Sequence, residues 1–166
     1  PRANLWQNVL LIVAGSLLVA LCAQIALPLP FSPVPVTGQT FAVLLLGATF
    51  GARRAAAALL LYLAEGAAGL PVFAPIGAPG LARLVGPTGG YLLASPLAAF
   101  VLGKLLEKAS QRRLSTWLGA VVAAETLILV GGTAWLRWMT HSSWEQAWLQ
   151  GVAPFVPGEI AKVALV

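Results

Sequence analysis

The sequence contains no aspartate, a single cysteine and a single histidine, and charged side chains make up only 9% of its 166 residues. Each scarcity removes a class of protein. An ordinary soluble domain carries roughly 25% charged residues, so there are too few charges here to cover a water-facing surface. Cys22 stands alone inside an apolar stretch, which excludes a disulfide framework. Without aspartate, a Ser/His/carboxylate nucleophile would depend on His141, which lies in a polar stretch at the edge of a helix, the setting of an interfacial residue. Neither a Cys/His metal-ligand spacing nor a glycine-rich phosphate loop ending in lysine occurs. The composition therefore predicts no enzyme, no metal and no cofactor held by this chain.

Apolar residues are what the sequence has in quantity: 59% of the chain, with a mean hydropathy of +0.88. A transmembrane helix needs about 20 apolar residues, so this length accommodates roughly six spans and leaves no room for a separate soluble domain. The expectation is an all-α membrane protein, one six-transmembrane-helix bundle forming a single domain over residues 1–166. The run from Val9 to Leu29 is too long for the apolar region of a cleaved signal and lacks a small-residue cleavage site.

Six helices are predicted, at about 7–27, 39–51, 54–70, 88–108, 115–138 and 146–166. The second is short for a span. Between them, the stretch from Pro28 to Gly38 holds four prolines, and Pro71 to Gly90 is rich in glycine and proline. Irregular backbone at membrane depth is tolerated where it is buried in protein or lines a cavity, so both connections are candidate lids or pocket walls. A net charge of +5 would suit nucleic acid, yet the basic residues come as short pairs between apolar runs, the pattern of topology signals. Arg2, Arg53, Arg54, Lys104, Lys108, Arg112 and Arg113 fall on one side of a six-span chain; Arg83, Arg137 and His141 fall on the other. The positive-inside rule makes the first side cytoplasmic, with both termini there and the Pro/Gly-rich loops outside.

The informative charges are those inside helices. Glu159 and Lys162 are spaced i,i+3 on one face of the last helix, amid apolar sequence. Two readings stand open: an acceptor and donor offered to a polar ligand, or a structural salt bridge. Glu125, in mid-helix 5, is expected to join an internal polar network or reach the same cavity, and Glu65 to be a pocket wall or a bundle pair. The outer loops add Thr37, Gln39, Phe73, Arg83, Thr88 and Tyr91, a mixture of apolar walls and a few polar groups that suits a small-ligand pocket. Ser16 and Ala20 form a small-xxx-small face on helix 1, either for internal packing or for a partner helix.

Four segments, in order, carry a resemblance: Pro33-Val34-Pro35-Val36-Thr37-Gly38-Gln39-Thr40, Gly69-Leu70-Pro71-Val72-Phe73-Ala74, Gly86-Pro87-Thr88-Gly89-Gly90-Tyr91-Leu92, and the closing run from Gly151 to Lys162. Together they resemble the successive motifs of the BioY family, the biotin-binding S components of energy-coupling factor (ECF) transporters. The resemblance implies an S-component fold in the cell membrane that takes up biotin from outside. It also implies partners, a T-type transmembrane subunit and a pair of ABC-type ATPases, which use ATP on behalf of a chain that has no nucleotide site. Small residues on helix 1 are the usual docking face in such components, which assigns Ser16 and Ala20 to the T-type partner. The substrate-binding residues expected from motif and chemistry together are Glu159, Lys162, Tyr91, Phe73, Gln39, Thr37, Arg83 and Glu125. Two positions depart from the family's pattern: Glu159 stands where Asp is usual, and Gly38 where a larger residue such as Leu is common. An S component for another vitamin, and a self-sufficient transporter whose Glu125 or Glu159 carries protons, are the competing readings; a lipid-modifying membrane enzyme lacks catalytic residues.

Overall fold

The computed structural model describes residues 4–109 and 113–165. The chain opens with α1 (Leu5–Gln24), whose first turn is closed by a capping box: Asn4 Oδ1 accepts from the Gln7 amide, and the Gln7 side chain accepts from the Asn4 amide. A β-hairpin follows, β1 (Ala26–Leu29) pairing antiparallel with β2 (Ser32–Thr37). The sequence reading extends helix 1 to residue 27 and leaves Pro28–Gly38 as loop. The prolines end the helix, yet a two-stranded ribbon has open edges, where residues without an N–H fit. Pro28 falls at the register irregularity between Leu27 and Leu29.

The remaining elements are α2 (Gln39–Phe50), α3 (Ala52–Ala67), a single turn α4 (Leu81–Leu84), α5 (Gly89–Lys108), α6 (Leu114–Thr140), α7 (Trp144–Gly151) and α8 (Val156–Leu165). Helices α1, α5 and α6 are long and apolar enough to cross a membrane, while α2, at 12 residues, is a shorter apolar helix. The predicted sixth helix is two: α7 stops at Gly151 and α8 begins at Val156. Pro154 and Pro157 explain the break, because each lacks an N–H and crowds the preceding turn, and Pro157 is tolerated only in the first turn of α8.

Leu10, Leu17, Leu21, Leu97, Val122 and Val130 are exposed along the long helices, a surface that suits lipid and not water. This is a membrane protein. Inside, small residues bring backbones together. A Cβ on Gly47 of α2 would lie 2.9 Å from Leu102 Cδ2, and one on Gly103 of α5 would lie 2.4 Å from the Ala52 nitrogen of α3. Close approach of this kind maximises van der Waals contact where no hydrophobic force operates between helices.

Ser16 and Ala20 belong to this interior packing. Ser16 is fully buried, donating its hydroxyl to Glu65 Oε2 of α3, and Ala20 is buried in the core. The docking face expected there is turned inward: α1 presents Leu10, Leu17 and Leu21 outward instead. Glu65 takes the bundle-pair role of its two readings. At one end of the bundle, Arg54 Nε donates to Asn8 Oδ1 (2.8 Å), and Glu107 Oε1 accepts the Ala52 amide (2.8 Å) at the start of α3. Arg53, Lys104 and Lys108 lie at the same end; Arg2 and Arg112 lie outside the described residues. The hairpin, α4 and the α6–α7 turn occupy the opposite end.

Candidate functional site

A cavity opens at that opposite end, between β2, the start of α2, the loop before α5, the upper halves of α5 and α6, and the α7–α8 segment. Thr37, Gln39, Phe73, Arg83, Tyr91 and Glu159, all expected from sequence, line it together. Lys162 and Glu125 do not reach its wall. Sequence reasoning named Thr88 among the loop polar groups but passed over Thr40, Ser95, Ile128, Leu129 and Phe155, which also line it. Thr40 and Phe155 sit beside residues that were singled out, and no local pattern marks them as inward-facing.

Glu159 is the acceptor of the site. Only 7% exposed, its carboxylate accepts from Thr40 Oγ1 at 3.0 Å to each oxygen and from Lys162 Nζ at 2.8 Å to Oε1. The i,i+3 pair on α8 is therefore a real ion pair, and Thr40 of α2 is its hub, since the same hydroxyl accepts from Lys162 at 2.7 Å. The third Lys162 proton goes to the Thr37 carbonyl at 2.7 Å. An ammonium has three donors, and all three are engaged inside the protein. Of the two readings of this pair, the arrangement supports a division of labour: Lys162 braces through Oε1, and Glu159 lines the cavity with an Oε2 that Thr40 contacts and Lys162 does not.

Arg83, on α4, is the cation of the site and only 6% exposed. Its Nη2 donates to the Ala74 carbonyl, while Nε has no partner among the described residues. Room for the guanidinium comes from Gly77, whose φ of +101° is open to glycine, and where a Cβ would sit 2.6 Å from Nη1. A planar guanidinium with spare donors is suited to an incoming carboxylate.

The aromatic walls are also set by glycines. The Phe73 ring lies against Gly66 of α3, where a Cβ would be 2.1 Å from Cζ, and meets Tyr62 edge-on at 5.3 Å between centroids. The Tyr91 ring lies against Gly132 of α6, and its hydroxyl donates to the Gly151 carbonyl at 2.7 Å, tying α5 and α6 to the end of α7. Phe155 packs beside Tyr91 at 6.1 Å. Gln39 carries a longer contact, accepting from the Tyr62 hydroxyl at 3.5 Å. Ser32 Oγ donates to the Gln150 carbonyl at 2.7 Å, which holds the hairpin over the cavity.

Glu125 stands one helical turn from Ile128 and Leu129, on α6, away from the mouth. Both its oxygens are buried without a hydrogen-bond partner among the described residues. It stands beside Glu159 and within electrostatic range of Lys162, the groups of the internal polar network expected for it.

Comparison with known proteins identifies the family and the fold. The family model described as the BioY family matches residues 2–166. "Biotin transporter BioY2" of Lactococcus lactis subsp. cremoris is 38% identical over 156 residues, 94% of this chain and 84% of that protein. "Probable biotin transporter BioY" of Pyrococcus horikoshii is 34% identical over 158 residues, 95% of this chain and 90% of that one. Among solved structures, the S component for biotin from an ECF-type ABC transporter superposes with a TM-score of 0.86 at 23% identity, covering 99% of this chain and 90% of that one. The fold is thus shared with an S component.

Proposed function

This chain belongs to the BioY family, and on that premise we propose that it is a biotin-binding membrane subunit that takes up the vitamin within an ATP-driven ECF transporter. The observation carrying the proposal is a cavity in which one carboxylate acceptor, Glu159, and one guanidinium, Arg83, stand among apolar and aromatic walls. Biotin is complementary to that set. Its ureido ring offers two N–H donors, its thioether ring and aliphatic chain are apolar, and its valerate ends in a carboxylate.

In the proposed pose the ureido N–H groups donate to Glu159, a charge-assisted bond that is roughly twice as strong as a neutral one. Phe73 and Tyr91 cover the bicycle and chain, and Arg83 receives the valerate at the mouth. Thr37 and Gln39 contribute at the start of α2. Glu159, one methylene longer than the Asp usual in the family, is held back by its bonds to Thr40 and Lys162, so the extra reach is taken up in the brace. By the positive-inside rule both termini are cytoplasmic and the cavity opens outward. A T-type subunit and ABC-type ATPases supply the release step. The outward leucine face of α1, and not Ser16 and Ala20, is the surface of that helix left for a membrane partner.

Purified protein titrated with biotin and with biotin methyl ester tests the proposal. Biotin is expected to bind and the ester more weakly, with Arg83→Met erasing the difference between them. Failure of the parent to bind biotin refutes the assignment. An Arg83→Met variant that still discriminates the two ligands refutes the pose.

A further inference from the structure

The tryptophans mark a depth. All six fall near one end of the bundle or the other: Trp6 and Trp117 stand in the first turns of α1 and α6 at the basic end, and Trp135, Trp138, Trp144 and Trp148 stand at the cavity end. Along α6 the rise from Trp117 to Trp138 is about 32 Å at about 1.5 Å per residue, which matches a hydrocarbon core about 30 Å thick. Membrane–water boundaries gather such residues, because an indole joins a wide apolar ring to a single N–H. The boundary at the cavity end therefore passes close to Trp138, and α7 begins only a short turn beyond it.

The make-up of α7 suits that boundary. A capping box between Ser143 and Gln146 satisfies two of its leading amides within the chain. Trp144 and Trp148, spaced i,i+4, share one edge and are 61% and 56% exposed, while Gln146 and Gln150 lie on the opposite side. The buried positions, Ala147 and Gly151, fall between the two. The tryptophan edge continues the exposed surface of α6 at Val130, Trp138 and Met139, part of the surface that faces lipid. Arg137 clamps it to α6, with its Cζ 4.5 Å from the centre of the Trp144 ring.

The same short helix holds the cavity. Tyr91 Oη donates to the Gly151 carbonyl and Ser32 Oγ to the Gln150 carbonyl, each at 2.7 Å. The last two residues of α7 thus secure an aromatic wall and the hairpin. From this juxtaposition we infer that α7 is an interfacial helix, seated by Trp144 and Trp148 in the lipid headgroup boundary, and that this seat holds the aromatic wall and the hairpin over the ligand. The seat stands on the tryptophans and the length of α6; its effect on the ligand rests on the biotin reading above.

The whole protein in lipid vesicles tests the seat without any ligand. Subtracting the fluorescence of Trp148→Phe from that of the parent isolates Trp148. Lipids brominated near the headgroup end of their chains are expected to quench it more than lipids brominated at the chain end, and more than iodide in the water. Quenching foremost by iodide or by chain-end bromine overturns the inference. Biotin titration in nanodiscs reads the consequence. Trp148→Gln is expected to bind severalfold more weakly, and Trp148→Phe to stay close to the parent. Because the seat acts through Gly151, Tyr91→Phe is expected to cost less in the Trp148→Gln protein than in the parent. Parent-like binding by Trp148→Gln, or losses that simply multiply, overturn the link between seat and cavity. Should Trp148→Gln fail to fold, the parent in nanodiscs of short-chain and long-chain lipid replaces it: biotin affinity is expected to change with chain length, and indifference overturns the link. Absence of biotin binding by the parent instead refutes the functional reading, and the quenching result still decides the seat.

Discussion

Replacing Thr40 by valine isolates the hub of the site. Valine keeps the branched shape and volume and deletes one hydroxyl. That hydroxyl donates to Glu159 and accepts from Lys162, at 3.0 Å and 2.7 Å. Both bonds involve an ionised partner, the class worth about 1.5–3 kcal/mol each. Glu159 and Lys162 keep their mutual 2.8 Å contact, so the loss does not amount to a free buried charge. What remains is one ammonium proton without an acceptor and a carboxylate freed to rotate. Taking a single such bond as the net loss, about 1.5–3 kcal/mol corresponds to a biotin Kd raised roughly tenfold to a hundredfold or more. Thr40→Ser, which keeps the hydroxyl, is expected to recover most of the affinity. Isothermal titration of parent, Thr40→Val and Thr40→Ser proteins in detergent measures all three. If the valine protein binds within twofold of the parent while the serine protein does no better, the hub is not what holds Glu159, and the division of labour between Glu159 and Lys162 is wrong.

Two other perturbations separate the cavity from its scaffold. Gly66→Ala places a methyl group against the Phe73 ring, 2.1 Å from Cζ, and must drive the ring into the cavity; biotin binding is expected to fall sharply. Gly119→Ala, in α6 with nothing within 4 Å, is the control, expected to raise thermal stability by up to about 1 kcal/mol and leave binding unchanged. At the far end of the bundle, Glu107→Ala removes the acceptor of the Ala52 amide and is expected to cost about 1 kcal/mol of stability with unaltered biotin affinity, read from a thermal melt and a titration on one sample.

Much of the fold was legible because lipid imposes a coarse rule: a helix that crosses it must be long and apolar, and α1, α5 and α6 stand out by that alone. The finer departures have local causes that compete with that rule. Prolines at 28, 30, 33 and 35 read as loop, yet paired into a hairpin because its open edges need no N–H there. A single last helix was expected from Gln146 onward, and Pro154 and Pro157 divided it. In the site, residues with distinctive chemistry were found in advance: Glu159, Arg83, Tyr91, Phe73, Gln39 and Thr37 share one cavity. Thr40 and Phe155 were missed because a threonine or phenylalanine carries no mark of which way it faces.

By itself the sequence determined that this chain lives in lipid, which of its ends is basic, and which few ionisable groups are placed where burying them is costly. Charge and hydropathy are properties of residue type and survive without coordinates. The tertiary structure alone decided how those groups share partners. It turned Ser16 inward to Glu65, where the resemblance implied a docking face, and it brought Thr40 to Glu159 and Lys162 across more than a hundred residues of chain. It also spent all three Lys162 protons inside the protein. The reason is geometric: a hydrogen bond depends on a few tenths of an ångström and on direction, and in this bundle both are set by where glycines and alanines let helices meet.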